Sequence, residues 1–491
     1  MKASLSPVLL VALAAPALAW LLLQGLGESA MLPAVGLVAL AGALLMSGLG
    51  SVRRLLVFAF FFMAALDMSK AIVPPLERFY SPGLYITVAQ ALMLGWGLLW
   101  VFQRVVRERR NLPFTRLDGW ALAYLAWIWW CALRSPAGSL ALASAMGYSL
   151  CVLSYYLVSH ALTRVEDLRL VLKAVLLCFA LQAAFVVLQM AVKAPIVLPG
   201  IKVAGLGGAM TLSLGESSAF RPIGLFNHPN VMADYVLWLL LPALAVVLLG
   251  PQRIARRVWW TALAVLLASA GMLLASLSRG GWASGILGAL VVGGAYWRLR
   301  LIGKGHLMVA LGLVVLGLVA VAVVYPQVFL RLTESDARST ESRLLLNDQA
   351  FMIIRDHWFS GVGFGAYNQS AYDHIPGSWS FISEDYHRPL LMLVVHNHYL
   401  LVAAELGIPA VLFWFALLVR FARQAAPLAQ WREPGLLALG VGLGGAMVAH
   451  LLYLASDNYY VDIRVFLLWT CAGLLQALTR LSTGQAAGAT R

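Results

Sequence analysis

Two short polar motifs hold the residues most able to do chemistry, and each lies at the edge of a long apolar run. The first is FNHPN, from Phe226 to Asn230, and the second is HNHY, from His396 to Tyr399. Histidine titrates near neutrality, so it is a natural proton acceptor. Two histidines at i and i+2 cannot face one point on a regular helix. We therefore expect His396 or His398 to enter a site while the other faces solvent or backbone. The alternative is a pair of interfacial histidines that reach to water.

Three arginines are candidates for holding an anion. Arg221 and Arg343 fall in long polar stretches, and Arg279 lies between two apolar runs in Ser278-Arg-Gly-Gly281. A guanidinium group can donate two parallel hydrogen bonds to phosphate oxygens. The competing interpretations are an interface anchor for Arg279 and a solvated helix face for Arg343.

Asn227, His228 and Asn230 flank Pro229 at the start of an apolar run. Proline favours the first turn of a helix, and Asn230 or Asp234 could cap it. The free N–H groups of that helix end would suit an anion, although capping alone also explains the motif.

Metal-binding patterns are missing: the chain has no HExxH, DxD or paired Cys/His spacing. A site built from His396, His398 and Glu384 or Asp385 is the remaining metal alternative. We expect no metal and no other cofactor.

The composition identifies the class of protein that must position these residues. The chain has 491 residues, of which 62% are hydrophobic and only 11% charged, with a mean hydropathy of +0.84. Soluble proteins carry about 25% charged residues. Backbone in lipid must satisfy its own hydrogen bonds, so apolar runs of about 20 residues predict transmembrane helices. Fourteen runs are candidates: 7–26, 32–49, 55–74, 84–103, 118–134, 140–161, 168–192, 231–250, 258–276, 282–297, 306–325, 399–419, 435–455 and 464–479.

We therefore predict an all-α, polytopic membrane protein with about 12–14 transmembrane helices. Lys and Arg concentrate in alternate loops, most densely in 104–118, as the positive-inside rule requires if the N-terminus is cytoplasmic. The net charge of +14 is then mainly a topology signal and not evidence for nucleic acid. The predicted order is N-terminal helices in 1–192, a first periplasmic loop in 193–230, central helices in 231–325, a large periplasmic loop in 326–398, and final helices with a cytoplasmic tail in 399–491.

The large loop should contain an amphipathic helix lying on the membrane surface. Leu346, Ala350, Phe351 and Ile354 recur at spacings near 3.6 residues. Gly361-Val-Gly-Phe-Gly365 then ends the helix, either as a simple turn or as backbone that approaches a ligand.

Four segments in order resemble the O-antigen ligase and polymerase superfamily: Gly224–Val231, Ser278–Trp282, Ser342–Gly365 and His396–Gly407. Ligases of this superfamily carry a His-Asn/Ser/Gln pair, nine residues, a Gly, two residues and a Thr. Here His396-Asn397 is followed after nine residues by Gly407, but Ala410 takes the Thr position. That departure weakens the ligase interpretation relative to the polymerase.

The resemblance implies a GT-C-like fold and a bacterial inner-membrane enzyme whose site faces the periplasm. The implied reaction moves a glycan from undecaprenyl pyrophosphate to a sugar hydroxyl of lipid A–core or another glycan acceptor, without metal and with inversion. By this resemblance, His396 would be the general base, and Arg279 and Arg343 would hold the pyrophosphate. Arg221 is expected beside them, and the supporting residues are His398, Asn397, His228 and Asn230.

Three alternatives use the same lipid-linked glycan. A polymerase would extend it, and a protein O-oligosaccharyltransferase would pass it to a protein. A transporter would move it without chemistry, but transporters favour polar helices near the midplane and inverted repeats. Here the polar residues concentrate at the outer boundary, which favours an enzyme.

Overall fold

The computed structural model of the protein describes residues 51–73, 84–196, 210–214, 217–303, 327–333, 337–377, 379, 390–391, 393–425, 433–459 and 462–482. Most of these residues are helical, and the only strands among them form two short antiparallel pairs. Seven of the described helices are long and apolar enough to cross a membrane. The prediction of an all-α polytopic membrane protein is confirmed. The predicted spans at 7–26, 32–49 and 306–325 lie outside the described residues, so the total number of spans stays a prediction.

The N-terminal part of the described chain is a helical layer with one hairpin. Its elements are α1 (Val52–Met63), β1 (Ser69–Val73), β2 (Leu84–Thr87), α2 (Val88–Val101, continued by a π-helical turn over Phe102–Arg107), α3 (Arg116–Leu133), α4 (Ser139–Ala161) and α5 (Val165–Val192).

A second hairpin and three helices follow: β3 (Thr211–Leu214), β4 (Ser217–Phe220), α6 (Pro229–Leu249), α7 (Arg256–Ala275) and α8 (Arg279–Arg298). The remaining helices are α9 (Gln327–Thr333), α10 (Ala337–Asp356), α11 (Tyr367–Ala371), α12 (His398–Leu406), α13 (Ile408–Arg423), α14 (Pro434–Tyr453) and α15 (Ile463–Ser482).

Helix α6 is the centre of the bundle. Helices α7, α8, α14 and α15 pack against it, and α4 packs on α15. The approach of α14 to α6 is very close, because a methyl group at Gly442 would overlap the backbone of Pro242. Small residues at such crossings let membrane helices pack backbone to backbone.

The predicted helix at 55–74 is wrong over its second half. Helix α1 ends at Met63, and Ser69–Val73 pairs with Leu84–Thr87 as an antiparallel hairpin. The polar sequence Asp67-Met-Ser-Lys70 interrupts the apolar run, and two prolines follow Val73. Proline cannot continue a helix, so these residues also disfavour a helical span through this segment.

The predicted helix in the large loop is confirmed over Ala337–Asp356, but its apolar face packs on protein. Leu346 and Ala350 are buried in a cluster with Val395 and with Leu401 of α12, and Ile354 packs at its edge. Phe351, expected on the same face, is 57% exposed. The apolar face of this helix therefore packs on the start of α12, whereas the sequence had predicted that it lies on the membrane surface.

The predicted span at 399–419 is two helices that meet at Gly407. Gly407 has φ +86, which ends α12 and starts α13 in a new direction. The turn after α10 packs into this break: Val362 N donates to Ala404 O at 2.8 Å and Gly363 N to Glu405 O at 3.0 Å. The Glu405 carboxylate accepts from the backbone N–H groups of Gly365 and Tyr367. The glycine-rich turn therefore lies against the backbone at the end of α12. Its hydrogen bonds hold α10 next to α12.

Replacing Gly407 with alanine should destabilise the protein. A side chain there must adopt positive φ, which costs about 1–2 kcal/mol, and its Cβ would also overlap the Phe359 carbonyl. We expect a clear fall in the apparent unfolding temperature in detergent. Gly294→Ala is the matched control, because Gly294 lies within α8 with open space around it. Equal unfolding temperatures for the two variants would contradict this account of the break.

Candidate functional site

The HNHY motif forms the start of α12, and its histidines lie in different surroundings. The Asn397 side chain caps the helix by accepting from Tyr399 N at 3.0 Å and Leu400 N at 3.2 Å. His398 is buried in the first turn, and its backbone N–H donates to Leu454 O at 2.8 Å and to Asp457 O at 3.1 Å. Asn397 therefore fixes the start of α12, and His398 joins that start to the 454–459 loop. His396 lies just before the cap and is half-buried.

The His396 ring has a defined orientation. Its Nδ1 lies 3.1 Å from the carbonyl oxygen of Val394, which can only accept a hydrogen bond. Nδ1 therefore carries the hydrogen, and Nε2 keeps its lone pair. Burial lowers the pKa of His396, and the charges of Arg343 and Arg464 add to that effect, against an opposing influence of Asp457. The neutral, proton-accepting form therefore prevails at neutral pH.

Asp457 links three parts of the chain. Its Oδ2 accepts from Arg464 Nη1 at 3.0 Å and from Asn230 Nδ2 at 3.2 Å. Asn230 in turn accepts from Arg221 Nη2 at 2.9 Å. Burial alone would raise the pKa of the Asp457 carboxyl, but Arg464, His396 and His228 outweigh it and the pKa is lowered. An ionised carboxylate thus lies between α6, α15 and His396.

The FNHPN motif is organised differently from the prediction. The side chain that caps α6 is His228, whose Nδ1 accepts from Asn230 N at 3.0 Å. The expectation that Asn230 or Asp234 caps the helix is therefore wrong, because Asn230 faces Asp457 and Asp234 lies buried one turn further on. Burial and the charge of Arg221 lower the pKa of His228 to about 4.

Arg221 is buried and bound by protein. Its Nε donates to Ser276 O at 2.7 Å, and its Nη2 donates to Asn230. Arg221 therefore ties the end of β4 to the carboxyl end of α7 and orients the Asn230 amide.

Arg279 and Arg343 are the half-buried cations of the site, and neither guanidinium has a hydrogen-bond or ion-pair partner among the described residues. Arg279 is the first residue of α8, which Ser278 caps by accepting from Gly281 N at 3.3 Å. A methyl group at Gly280 would overlap Ser456, so this helix end lies against the 454–459 loop. The positive end of the α8 dipole and Arg279 thus lie at the same loop as Asp457, next to Ser456. Arg343 on α10 is close enough to His396 for its charge to lower the pKa of that ring.

Sequence reasoning missed Asp457, Arg464 and the tyrosines beside them. Arg464 also pairs with Asp462 at 2.7 Å and lies 4.7 Å from the Tyr459 ring centre. Tyr453 donates to Asn230 O at 2.8 Å. The sequence did contain an indication of this cluster: three charged residues lie within eight positions where the last two apolar runs meet. Charges close to a membrane span are costly unless they are paired or functional.

No group of three or more His, Cys, Asp or Glu side chains is placed to hold a metal ion within the part of the chain that the structure describes. The charges that meet here are guanidinium groups and the carboxylates of Asp457 and Asp462, both of which pair with Arg464.

A family model described as O-antigen ligase matches residues 263–415. The resemblance to the O-antigen ligase superfamily is confirmed. The matched segment contains Arg279, Arg343 and His396, whereas Arg221, Asn230, Asp457 and Arg464 lie outside it. No curated protein matches the chain. The family supports a multi-pass membrane enzyme of the O-antigen ligase or polymerase type, and it implies a lipid-linked glycan and a glycan acceptor as partners.

Replacing Asp457 with asparagine should destabilise the fold, because the change removes one of two carboxylates from the buried Arg464 guanidinium. Losing a partner of a buried ion pair costs about 3 kcal/mol. The measurement is the apparent unfolding temperature in detergent. Asp356→Asn is the control, since it breaks an exposed pair with Arg355 and should change little. If both variants unfolded at the same temperature as the wild type, the Asp457–Arg464 pair would not stabilise the fold.

Proposed function

We propose that this protein transfers a glycan from undecaprenyl pyrophosphate to a sugar hydroxyl of lipid A–core, on the periplasmic face of the bacterial inner membrane. The observation that carries the proposal is the His396 ring: its Nδ1 is turned to the Val394 carbonyl, its Nε2 is left as a base, and the charges of Asp457 and Arg343 act on it. This transfer requires a base for the acceptor hydroxyl, cationic groups for the pyrophosphate, and a site at the membrane boundary where the lipid-linked donor is bound.

His396 acts on the acceptor. Its Nε2 takes the proton of the sugar hydroxyl as the oxygen attacks the anomeric carbon. The imidazolium that forms is stabilised by the ionised Asp457, whose charge favours the protonated ring. Because the acceptor attacks directly, the anomeric centre inverts.

Arg279 and Arg343 act on the donor. As the bond from the anomeric carbon to the pyrophosphate oxygen breaks, its electron pair stays on undecaprenyl pyrophosphate. Two guanidinium groups and the amino end of α8 can stabilise that charge with donors that are already in place, without a metal. Arg221, His228 and Asn230 have the supporting task of positioning Asp457. Asn397 caps α12, and His398 positions the 454–459 loop.

Polymerisation of the lipid-linked glycan is the second candidate, favoured by one residue. Ala410 stands where the ligases have threonine, and it is buried in the first turn of α13. A polymerase uses the same donor chemistry and a lipid-linked glycan as acceptor.

The experiment is transfer in vitro by the purified protein from a glycan linked to undecaprenyl pyrophosphate, with lipid A–core as acceptor and EDTA present. We expect glycosylated lipid A–core from the wild type and a loss of at least about 100-fold for His396→Gln. His357→Gln, a change of an exposed histidine after α10, is the control and should retain activity.

The products discriminate between the candidates. Lengthened lipid-linked chains without glycosylated lipid A–core would make the protein a polymerase. If a verified donor gave neither product, the proposal would be contradicted and transport of the lipid-linked glycan would become the favoured alternative. If His396→Gln kept wild-type activity, the role of His396 as the general base would be contradicted.

A further inference from the structure

A largely apolar cavity of about 440 Å³ lies among the helices, apart from the site. Its walls come from α5, α6, α7, α14 and α15 and from the end of α1. The inner wall is buried, because Leu443, Thr470 and Leu478 are 5%, 3% and 1% exposed. Val258 of α7, which also lines the cavity, is 51% exposed. The cavity therefore opens at α7 toward the lipid that surrounds the bundle.

The cavity is as deep as one leaflet of a bilayer. On α6 it extends from Tyr235 to Val246, and on α15 from Leu467 to Leu478. The eleven helical steps of either segment, at about 1.5 Å each, give a length of about 16 Å. Half of a hydrocarbon core of about 30 Å is about 15 Å. The depth therefore suits an acyl chain that enters from one leaflet.

The charged end of the cavity lies at the boundary opposite to His396. Helix α6 starts at Pro229 beside the site and ends at Leu249, and α7 starts near that far end. Arg257, in the first turn of α7, is the one charged residue that lines the cavity in the part of the chain that the structure describes. The distribution of Lys and Arg predicts that this boundary is cytoplasmic. Anionic lipids are concentrated in the cytoplasmic leaflet, and basic pockets between membrane helices bind their head groups.

The charge of Arg257 is available to a ligand. The residue is exposed, and its guanidinium has no hydrogen-bond or ion-pair partner among the described residues. Glu433 and Asp167 at the same end are already bonded, since Glu433 accepts from Leu436 N at 2.6 Å and Asp167 pairs with Arg53 at 2.8 Å. The positive end of the α7 dipole adds to the Arg257 charge. This end of the cavity therefore favours an anionic group.

We propose that the cavity binds an anionic phospholipid of the leaflet opposite to the site, with an acyl chain between the helices and the phosphate at Arg257. The lipid fills space that the helices leave between them, so it stabilises the bundle. It is distinct from the glycan donor, whose pyrophosphate the proposed function places at Arg279 and Arg343 on the other boundary. The inference does not depend on that function, because no step of glycan transfer uses this lipid.

The head group is tested by the apparent unfolding temperature of the delipidated, full-length protein in detergent. Phosphatidylglycerol should raise this temperature by at least about 2 °C more than phosphatidylcholine with the same acyl chains, because a ligand of the folded state stabilises it. Arg257→Gln should lose that difference. Arg256→Gln is the matched control, since Arg256 is also exposed but is not among the described residues that line the cavity, and it should keep the difference. Loss in both variants or in neither, or no difference in the wild type, would overturn the inference.

The acyl chain is tested by filling the cavity. Ala262 is 9% exposed on the cavity wall, and Ala264 is exposed on the same helix outside the described lining. Native mass spectrometry should show one phosphatidylglycerol retained by the wild type and by Ala264→Phe, and about tenfold less retained by Ala262→Phe. Equal retention by all three proteins would overturn the inference. Should Ala262→Phe fail to fold, wild-type retention by the surface variant Arg257→Gln would overturn it instead.

The same spectra identify other occupants. Undecaprenyl phosphate that displaced phosphatidylglycerol at equal concentration would assign the cavity to a prenyl chain. A wild type that retained no lipid would leave the cavity to another occupant, such as one of the predicted spans at 7–26 and 32–49. Either result would overturn the inference and leave the proposed function untouched.

Discussion

The buried contact between Asp457 and Arg464 is the interaction on which the site depends. A carboxylate and a guanidinium at a membrane boundary are costly alone, so they are retained only when each satisfies the other and the remaining hydrogen bonds are made. Here the remaining bonds recruit Asn230 from α6 and Asp462 from the start of α15. His398 joins the same loop through its backbone bond to Asp457. One ion pair therefore brings together helices that are far apart in the sequence, and it sets the charge that His396 experiences.

The other half of the site is positioned by backbone packing. The break at Gly407 exposes carbonyl groups at the end of α12, and the glycine-rich turn after α10 binds them. Glu405 accepts two N–H groups from the same turn, which prevents α10 from sliding along α12. Arg343 is carried on α10, so its distance from His396 follows from this docking. Arg343 and His396 lie on separate segments, and this docking brings them close enough for the Arg343 charge to act on the ring.

Much of this organisation could be predicted from local sequence. Apolar runs predicted the membrane helices, the 3.6-residue spacing predicted α10, and the HNHY motif identified a residue at the start of α12. The errors came from long-range effects. Asp457 meets Asn230 across 227 residues, and nothing near either residue indicates the partner. Arg221 was expected beside the pyrophosphate-binding arginines, and its contact with the Ser276 carbonyl at the end of α7 could not be predicted from local sequence. The capping role of His228 was missed because Asn and Asp are the usual capping residues. Here the Asn230 side chain bonds to Asp457 and the Asp234 side chain to Tyr459.

The pH dependence of kcat/KM for glycan transfer tests most directly whether His396 is the base. Transfer needs the neutral ring, so activity is present above the pKa of His396 and is lost as the pH falls through it. Because that pKa is lowered, we predict an acidic midpoint below 6.5. Arg343→Gln removes a charge that disfavours the protonated ring, so its midpoint should shift upward by up to about one pH unit. Arg355→Gln, an exposed change on the same helix, should leave the midpoint in place. An identical midpoint in Arg343→Gln and the wild type would contradict the account.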